Sequence, residues 1–278
     1  MSAAGPGRLE ELSRIALLVA EEAAAVARAG FRSRPRVEEK GDRDLVTEFD
    51  RASEDLLLAR LAALTPGIPV VGEEHAVGGT APGRRGLVWY VDPIDGTTNF
   101  IHGHPFWCVA VGLMDDDEPV AGAVVAPALD LRWIGWHAPE GASGAALPRG
   151  EARRNGDRCA VSATARLNQA MIATGFPPSR DEAPANNFDA FMAVKRRARA
   201  VRRCGSAAID LCMVGDGTYD AYWERRLHAW DVAAASAIVL GAGGAITALS
   251  GGPPNYHVGH LLASNGRVHE ELVGLVTP

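Results

Sequence analysis

Cysteine is scarce: Cys108, Cys159, Cys204 and Cys212 are the only four in 278 residues, widely spread and without a C-x-x-C pair. That spacing supports neither a disulfide scaffold nor a structural zinc site, and it points to reduced thiols and a cytoplasmic location. Long apolar runs are missing too. No stretch approaches the roughly 20 residues of a membrane span. Near the N-terminus, Arg8, Glu10, Glu11, Arg14, Glu21 and Glu22 interrupt any apolar region a signal peptide would need. An excess of basic charge is absent as well. Lys and Arg number 28 against 34 Asp and Glu, a formal net charge of −6. Such a balance excludes a surface built throughout to coat nucleic acid. There is no internal repeat.

What is present is an ordinary globular composition, 47% hydrophobic and 22% charged. The length suits one large domain or two moderate ones. Leu9, Leu12, Ile15, Ala16, Val19, Ala23 and Val26 recur at helical spacing, which predicts a helix over 8–29 with Gly30 as its stop. A second helix is expected over 47–64, ended by Thr65-Pro66-Gly67. Ile68–Val71 reads as a short strand and 76–85 as an exposed loop. Strands follow at 87–91, 107–114, 120–126 and 131–136, with the acidic turn Asp115-Asp116-Asp117 between two of them. The Gly-, Ala- and Pro-rich segment 139–156 suggests a hairpin and linker, hence halves 1–150 and 151–278. Beyond it, strands near 170–174 and 200–202 alternate with helices near 188–197, 207–215 and 232–240. The mixture indicates α/β layers.

The run Leu87–Val91 leads into Asp92-Pro93-Ile94-Asp95-Gly96-Thr97-Thr98-Asn99-Phe100. Proline fixes φ and removes a donor, so the chain is expected to leave the strand in a turn at Pro93. Two carboxylates with the Ile94 carbonyl between them form a hard-oxygen set suited to Mg²⁺. Gly96 and Thr97 lie where free backbone N–H groups would bind phosphate. Taken alone, the motif is equally a strand-ending turn with solvated acids. Gly72-Glu73-Glu74 offers a further acid or a charged loop. Asp231, before the small-residue run Val232–Ala235, is a helix N-cap, a metal ligand or both. Thr47 and Asp50 have capping-box spacing; alternatively Asp50 accepts a hydrogen bond from a catalytic threonine.

Together these stretches resemble the inositol monophosphatase family of lithium-sensitive, magnesium-dependent phosphatases. V-D-P-I-D-G-T-T-N-F-I-H fits its first signature and W-D-V-A-A-A-S-A-I-V-L-G-A-G-G its second, with D-L-V-T-x-x-D, Gly72-Glu73-Glu74 and Gly205-Ser206-Ala207-Ala208 in family order. The likeness spans 9–273. It implies a layered αβαβα sandwich of the sugar-phosphatase type and two or three Mg²⁺ ions per active site. Glu73, Asp92 and the Ile94 carbonyl would hold the first metal, and Asp92, Asp95 and Asp231 the second, with Glu74 beside them. Gly96 and Thr97 would present amides to phosphate. Thr97, Asp50 and Glu73 would serve catalysis, the first two near the attacking water. Gly205, Ser206, Ala207 and Glu224 would contact the polyol. Lys40 matches a lysine of a mobile flap, although its spacing to Asp50 is one residue shorter than the family pattern. The family is commonly homodimeric.

The resemblance implies hydrolysis of a small phosphorylated polyol or sugar, first of all inositol 1-phosphate. Histidinol phosphate, fructose 1,6-bisphosphate and nucleotide 3′-phosphates are the alternatives within the family. Arg225 and Arg226 would recognise a second phosphate or lie solvated on the surface. His228 reads as a packing or hydrogen-bonding residue. An RNA- or transcription-associated binding role is the reading from another class, resting on Lys195–Arg203. That segment also reads as a charged helix end entering an edge strand, and no aromatic platform is interleaved with it.

Overall fold

A computed structural model describes residues 4–41, 44–75, 85–139, 149–177 and 186–277. The periodic apolar positions near the N-terminus form one face of α1 (Pro6–Gly30), whose proline sits in the first turn, where a missing N–H costs nothing. Gly30 is the last helical residue and not a stop beyond the end. Its role is close approach: a Cβ there would lie 2.2 Å from the Phe49 ring. A hairpin of β1 (Val37–Gly41) and β2 (Asp44–Thr47) leads to α2 (Glu48–Leu64), capped by Thr47, whose side chain accepts from Phe49 and Asp50.

Seven strands form the first sheet, in sequence order: β3 (Val70–Gly72), β4 (Leu87–Asp95), β5 (Cys108–Asp115), β6 (Glu118–Ala126), β7 (Leu131–His137), β8 (Gly150–Arg154) and β9 (Asp157–Cys159). Only β3 and β4 pair in parallel. The short helix α3 (Thr97–Ile101) follows β4. The β5–β6 connection is the expected acidic turn, with Asp116 and Asp117 at φ of 47° and 69°. Most of the loop expected at 76–85, and residues 140–148 of the expected linker, lie outside the described residues.

The second half contributes β10 (Met171–Thr174), α4 (Phe188–Lys195), β11 (Ala200–Arg202), α5 (Ala207–Gly215), β12 (Ala221–Glu224), α6 (Ala229–Gly241), β13 (Ala245–Ala248), β14 (Leu261–Ser264) and α7 (His269–Val276). Its strands form a mixed sheet in the order β11-β10-β12-β14-β13. Three apolar cores define the layers. One lies between α1, α2 and the first sheet. The next encloses α5 and α6 between the two sheets. The third joins α4 and α7 to the outer face of the second sheet. The result is the αβαβα sandwich that the resemblance implied. Among the described residues no helix is long and apolar enough to cross a membrane. All four cysteines are free thiols.

The alanine run of α6 has a steric meaning. A Cβ at Gly112 of β5 would lie 2.2 Å from the Ala234 nitrogen. One at Gly122 of β6 would lie 2.6 Å from Ala234 Cα, and one at Gly135 of β7 would lie 2.9 Å from Ile238 Cα. Three glycines on adjacent strands therefore let the α6 backbone rest directly on the sheet. The spacing between the N-terminus of α6 and the C-terminal end of β4 follows from that contact.

One expectation fails instructively. The strand does not end before Pro93; β4 continues through it to Asp95. Its pairing with β5 shifts between Asp92–Ala110 and Asp95–Cys108, so Pro93 and Ile94 oppose Val109 alone. Proline is tolerated within a sheet at such a bulge, and the extra residue re-aims the side chains that flank it.

Candidate active site

The bulge brings Asp92 and Asp95 to the end of β4. Asp92 is buried and its Oδ1 accepts from the Ile94 amide at 2.9 Å. The Ser53 hydroxyl of α2 donates to the Pro93 carbonyl at 3.2 Å, tying the bulge to the helix behind it. Ile94 itself is buried in the core, with its carbonyl facing Thr97. Gly96 then turns the chain at φ 95°, a left-handed conformation that glycine adopts without strain. The space is also tight: a Cβ there would lie 3.1 Å from the carbonyls of Gly205 and Phe106.

Thr97 Oγ1 lies 3.2 Å from Asp50 Oδ1 and 3.0 Å from the Ile94 carbonyl. One hydroxyl proton serves one of these acceptors at a time. Asp50 Oδ2 meanwhile accepts from the Thr47 amide at 2.8 Å and from the Thr47 hydroxyl at 2.5 Å. Asp50 thus closes the capping box of α2 and also pairs with Thr97, so the capping contact does not exclude the second hydrogen bond. Burial pushes the Asp50 carboxyl up to about 6 against these hydrogen bonds.

Asp95 is held from the second half of the chain. Its Oδ2 accepts from the Ser206 hydroxyl at 2.6 Å and the Ala208 amide at 2.7 Å. Ser206 also caps α5, accepting from Ile209. Gly205, Ser206 and Ala207 line the same cleft as Gly96 and Thr97, but the Ser206 hydroxyl is committed to Asp95. The amide of Asn99 donates to the carbonyls of Phe106 and Cys204 at 2.7 and 2.9 Å, binding α3 to that turn.

Asp231 occupies the third position of α6 and not the cap, which is His228; the helix begins at Ala229, earlier than the apolar pattern indicated. From there its carboxylate reaches back to the His228 amide at 2.7 Å. His228 is exposed and stacks on Trp230. Glu73 and Glu74 follow β3, and both accept from the Lys40 ammonium, at 3.0 and 2.7 Å. Burial acts to lower the pKa of that ammonium, and the two glutamates outweigh it.

The far wall of the cleft includes Phe176, Arg203, Asp210 and Glu224. Burial pushes the Glu224 carboxyl up to about 7, opposed by the Tyr222 hydroxyl that donates to it. Asp210 is buried with Oδ1 unpartnered. Arg225 is not solvated: it is buried and donates to the Val276 carbonyl at 2.8 Å. The basic stretch Lys195–Arg203 ends α4 and enters β11, an edge strand.

The acids act on one another. Burial first, then Glu73, Asp95 and Asp231, hold Asp92 well above the usual carboxylate range. Burial, Asp95 and Glu73 do the same to Asp231. Asp95 is raised by burial and partly relieved by Ser206 and the α5 amides. Among the described residues no group of three or more acidic, histidine or cysteine side chains is placed to hold a metal ion. The donor chemistry nevertheless fits a hard divalent cation, because Asp92, Asp95 and Asp231 are carboxylates whose mutual repulsion such an ion would relieve.

Sequence reasoning missed Ser53, Glu54, Asn99 and Asp210. Ser53 and Glu54 lie three and four positions after Asp50, on one face of α2, so two polar residues on an otherwise apolar stripe were the available signal.

A family model described as the inositol monophosphatase family matches residues 8–277. An inositol-1-monophosphatase of Synechocystis is 38% identical over 238 residues, covering 85% of this chain and 78% of the relative. A histidinol-phosphatase of Streptomyces coelicolor is 36% identical over 274 residues, 97% of each chain. The solved structure of an inositol monophosphatase from Anabaena superposes with a TM-score of 0.81 at 31% identity, covering 96% of both chains.

Proposed function

The chain belongs to the inositol monophosphatase family and is a phosphatase, and from that premise we propose that it hydrolyses inositol 1-phosphate in a Mg²⁺-dependent reaction. The observation that carries the reading is the β4 bulge that holds Asp92 and Asp95 buried with two residues between them, with Asp231 lining the same cleft as Asp95. Glu73, Asp92 and the Ile94 carbonyl would hold one ion, and Asp92, Asp95 and Asp231 a second. Bound there, Mg²⁺ would offset the charge of the ester and acidify a coordinated water.

The protein's own groups supply the rest. The Gly96–Thr97 turn presents amides to the phosphate. Thr97 and Asp50 orient a water, with Asp50 positioned to take its proton. Ser206 and the α5 N-terminus keep Asp95 in place, and Glu224 offers hydrogen bonds to the hydroxyls of the leaving group. Neither a serine nor a cysteine nucleophile is needed. We further infer a homodimer located in the cytoplasm and inhibited by Li⁺ at a metal position.

The test is a panel of inositol 1-phosphate, histidinol phosphate, fructose 1,6-bisphosphate and adenosine 3′-phosphate across a Mg²⁺ titration. Highest kcat/KM on inositol 1-phosphate, abolished by EDTA, is the expected result. Full turnover in chelated protein would overturn the metal assignment, and preference for another ester would replace the substrate.

A further inference from the structure

The buried face of α2 carries three polar residues, each below 1% exposure: Asp50, Ser53 and Glu54. Each reaches a different piece of the site. Asp50 bonds Thr97, Ser53 holds the Pro93 carbonyl, and Glu54 takes the segment after β3. Glu54 is the least expected of the three, since a fully buried carboxylate is costly unless its oxygens are hydrogen-bonded. Here they are. Oε2 accepts from the Glu74 amide at 2.8 Å, and Oε1 from the His75 amide at 2.8 Å. The His75 ring Nδ1 lies 2.5 Å from the same Oε1.

Two successive backbone amides on one carboxylate fix the plane of the turn Glu73-Glu74-His75. Gly72 shows how tightly the carboxylate fits: a Cβ there would lie 2.4 Å from Glu54 Cδ and Oε1. The glycine before the two glutamates is therefore required by Glu54 and not by an unusual φ, which lies outside the left-handed region.

We propose that Glu54 is a positioning residue for the metal-holding function of Glu73, acting through the backbone of the 73–75 turn. The proposal rests on the metal assignment above. Glu54 need not touch an ion. By anchoring the two amides after Glu73 it confines the direction in which that side chain leaves the turn; there Glu73 accepts from Lys40 and its charge raises Asp92. Residues that orient ligands from behind in this way typically contribute about 10–100-fold to metal affinity.

Glu54→Gln tests this. A glutamine keeps the volume, but whichever way its amide lies, an NH₂ group faces a backbone N–H that had an acceptor. Three readings are taken on the full chain: Mg²⁺ affinity by titration calorimetry, amide hydrogen exchange residue by residue, and the thermal midpoint in EDTA. The expected result is Mg²⁺ affinity lower by about 10–100-fold, with exchange protection lost at Glu74 and His75 and retained in β4, β5 and α6. Gly72→Ala, which displaces the same carboxylate, should reproduce the pattern. Glu54→Asp, which keeps the charge and loses reach, should fall between. Wild-type Mg²⁺ affinity in Glu54→Gln, or protection lost evenly across the molecule, overturns the proposal. Asp92→Asn separates it from the metal assignment: if wild type binds Mg²⁺ and Asp92→Asn does not, a normal Glu54→Gln refutes the positioning role alone. Wild type that binds no Mg²⁺ overturns both.

Discussion

Gly112→Ala is the sharpest test of the way the two halves meet. The added Cβ would sit 2.2 Å from the Ala234 nitrogen and 2.6 Å from the Ala233 carbonyl carbon. Ordinary contact lies at about 3.5–4.0 Å, so α6 must withdraw by roughly 1.3–1.8 Å. Both partners are backbone, and no rotamer change offers an escape. Overpacking of this kind costs about 1–3 kcal/mol, and the absence of a flexible neighbour places this site at the upper end. At about 2–4 °C per kcal/mol for a chain of this size, the thermal midpoint should fall by about 6–12 °C. Asp231 rides in the first turn of α6, and a displacement of about 1 Å at a reacting centre can cost about 10²-fold in rate. Calorimetry in EDTA and turnover with saturating Mg²⁺ measure the two effects. Gly274→Ala is the control: its Cβ meets nothing within 4 Å and it lies inside α7, so it should stabilise by about 0.5–1 kcal/mol. A Gly112→Ala protein with wild-type midpoint and wild-type turnover would refute the direct backbone contact.

Asp231→Asn keeps an oxygen for the His228 amide and loses about 0.3–1 kcal/mol of helix-dipole interaction, offset by relief from Asp95 and Glu73; its metal-free midpoint should stay near wild type while Mg²⁺ binding and turnover collapse, and near-normal activity at ordinary Mg²⁺ would leave Asp231 a structural residue only. Thr97→Val retains the shape and removes the hydroxyl shared by Asp50 and Ile94, so kcat should fall by at least about 10²-fold with KM little changed; a rise in KM alone would contradict a water-orienting role. Glu224, ordinarily near 4.5, is raised to about 7 in the fold, so the folded state binds the extra proton between those values and stability falls as pH rises through them. The loss accumulated between pH 4.5 and about 7 should be about 3 kcal/mol, and Glu224→Gln should flatten that part of the stability profile in chelated protein; an unchanged profile would show that Glu224 is ionised throughout.

The helices with clear apolar periodicity, α1 and α2, were legible because their stripes face a single core. The central strands β5, β6 and β7 were legible as apolar runs between turn signals. β12, β13 and β14 were not, since four-residue strands such as Leu-Leu-Ala-Ser, buried throughout, show no alternation. The apolar pattern starts α6 too late because its cap, His228, is not a favoured capping residue. Pro93 misled for a physical reason: the rule that proline ends a strand assumes regular pairing, and a bulge suspends it. The acids of the site were visible in their motifs, whereas Glu54, Asn99 and Asp210 act across tertiary contacts that no local pattern encodes.

The hydrogen bonds that assemble the site span very different stretches of chain. Thr97 meets Asp50 across 47 residues, while Ser206 meets Asp95 across 111. The extra closure entropy is only about 0.8 kcal/mol, so equilibrium scarcely notices the difference, but synthesis does. At about 5–20 residues per second, some 10–40 s separate the appearance of Asp50 from that of Asp231. For about the last 5–20 s of that interval, after His137 and before Asp231, β5, β6 and β7 can be complete while α6 is still missing. Their glycine-bearing face, shaped for a bare helix backbone, is then open to any other strand or apolar segment in reach. A nascent chain of this design therefore depends on being shielded until α6, in its last fifth, emerges, and slowing translation ahead of α6 should raise aggregation more than slowing it after.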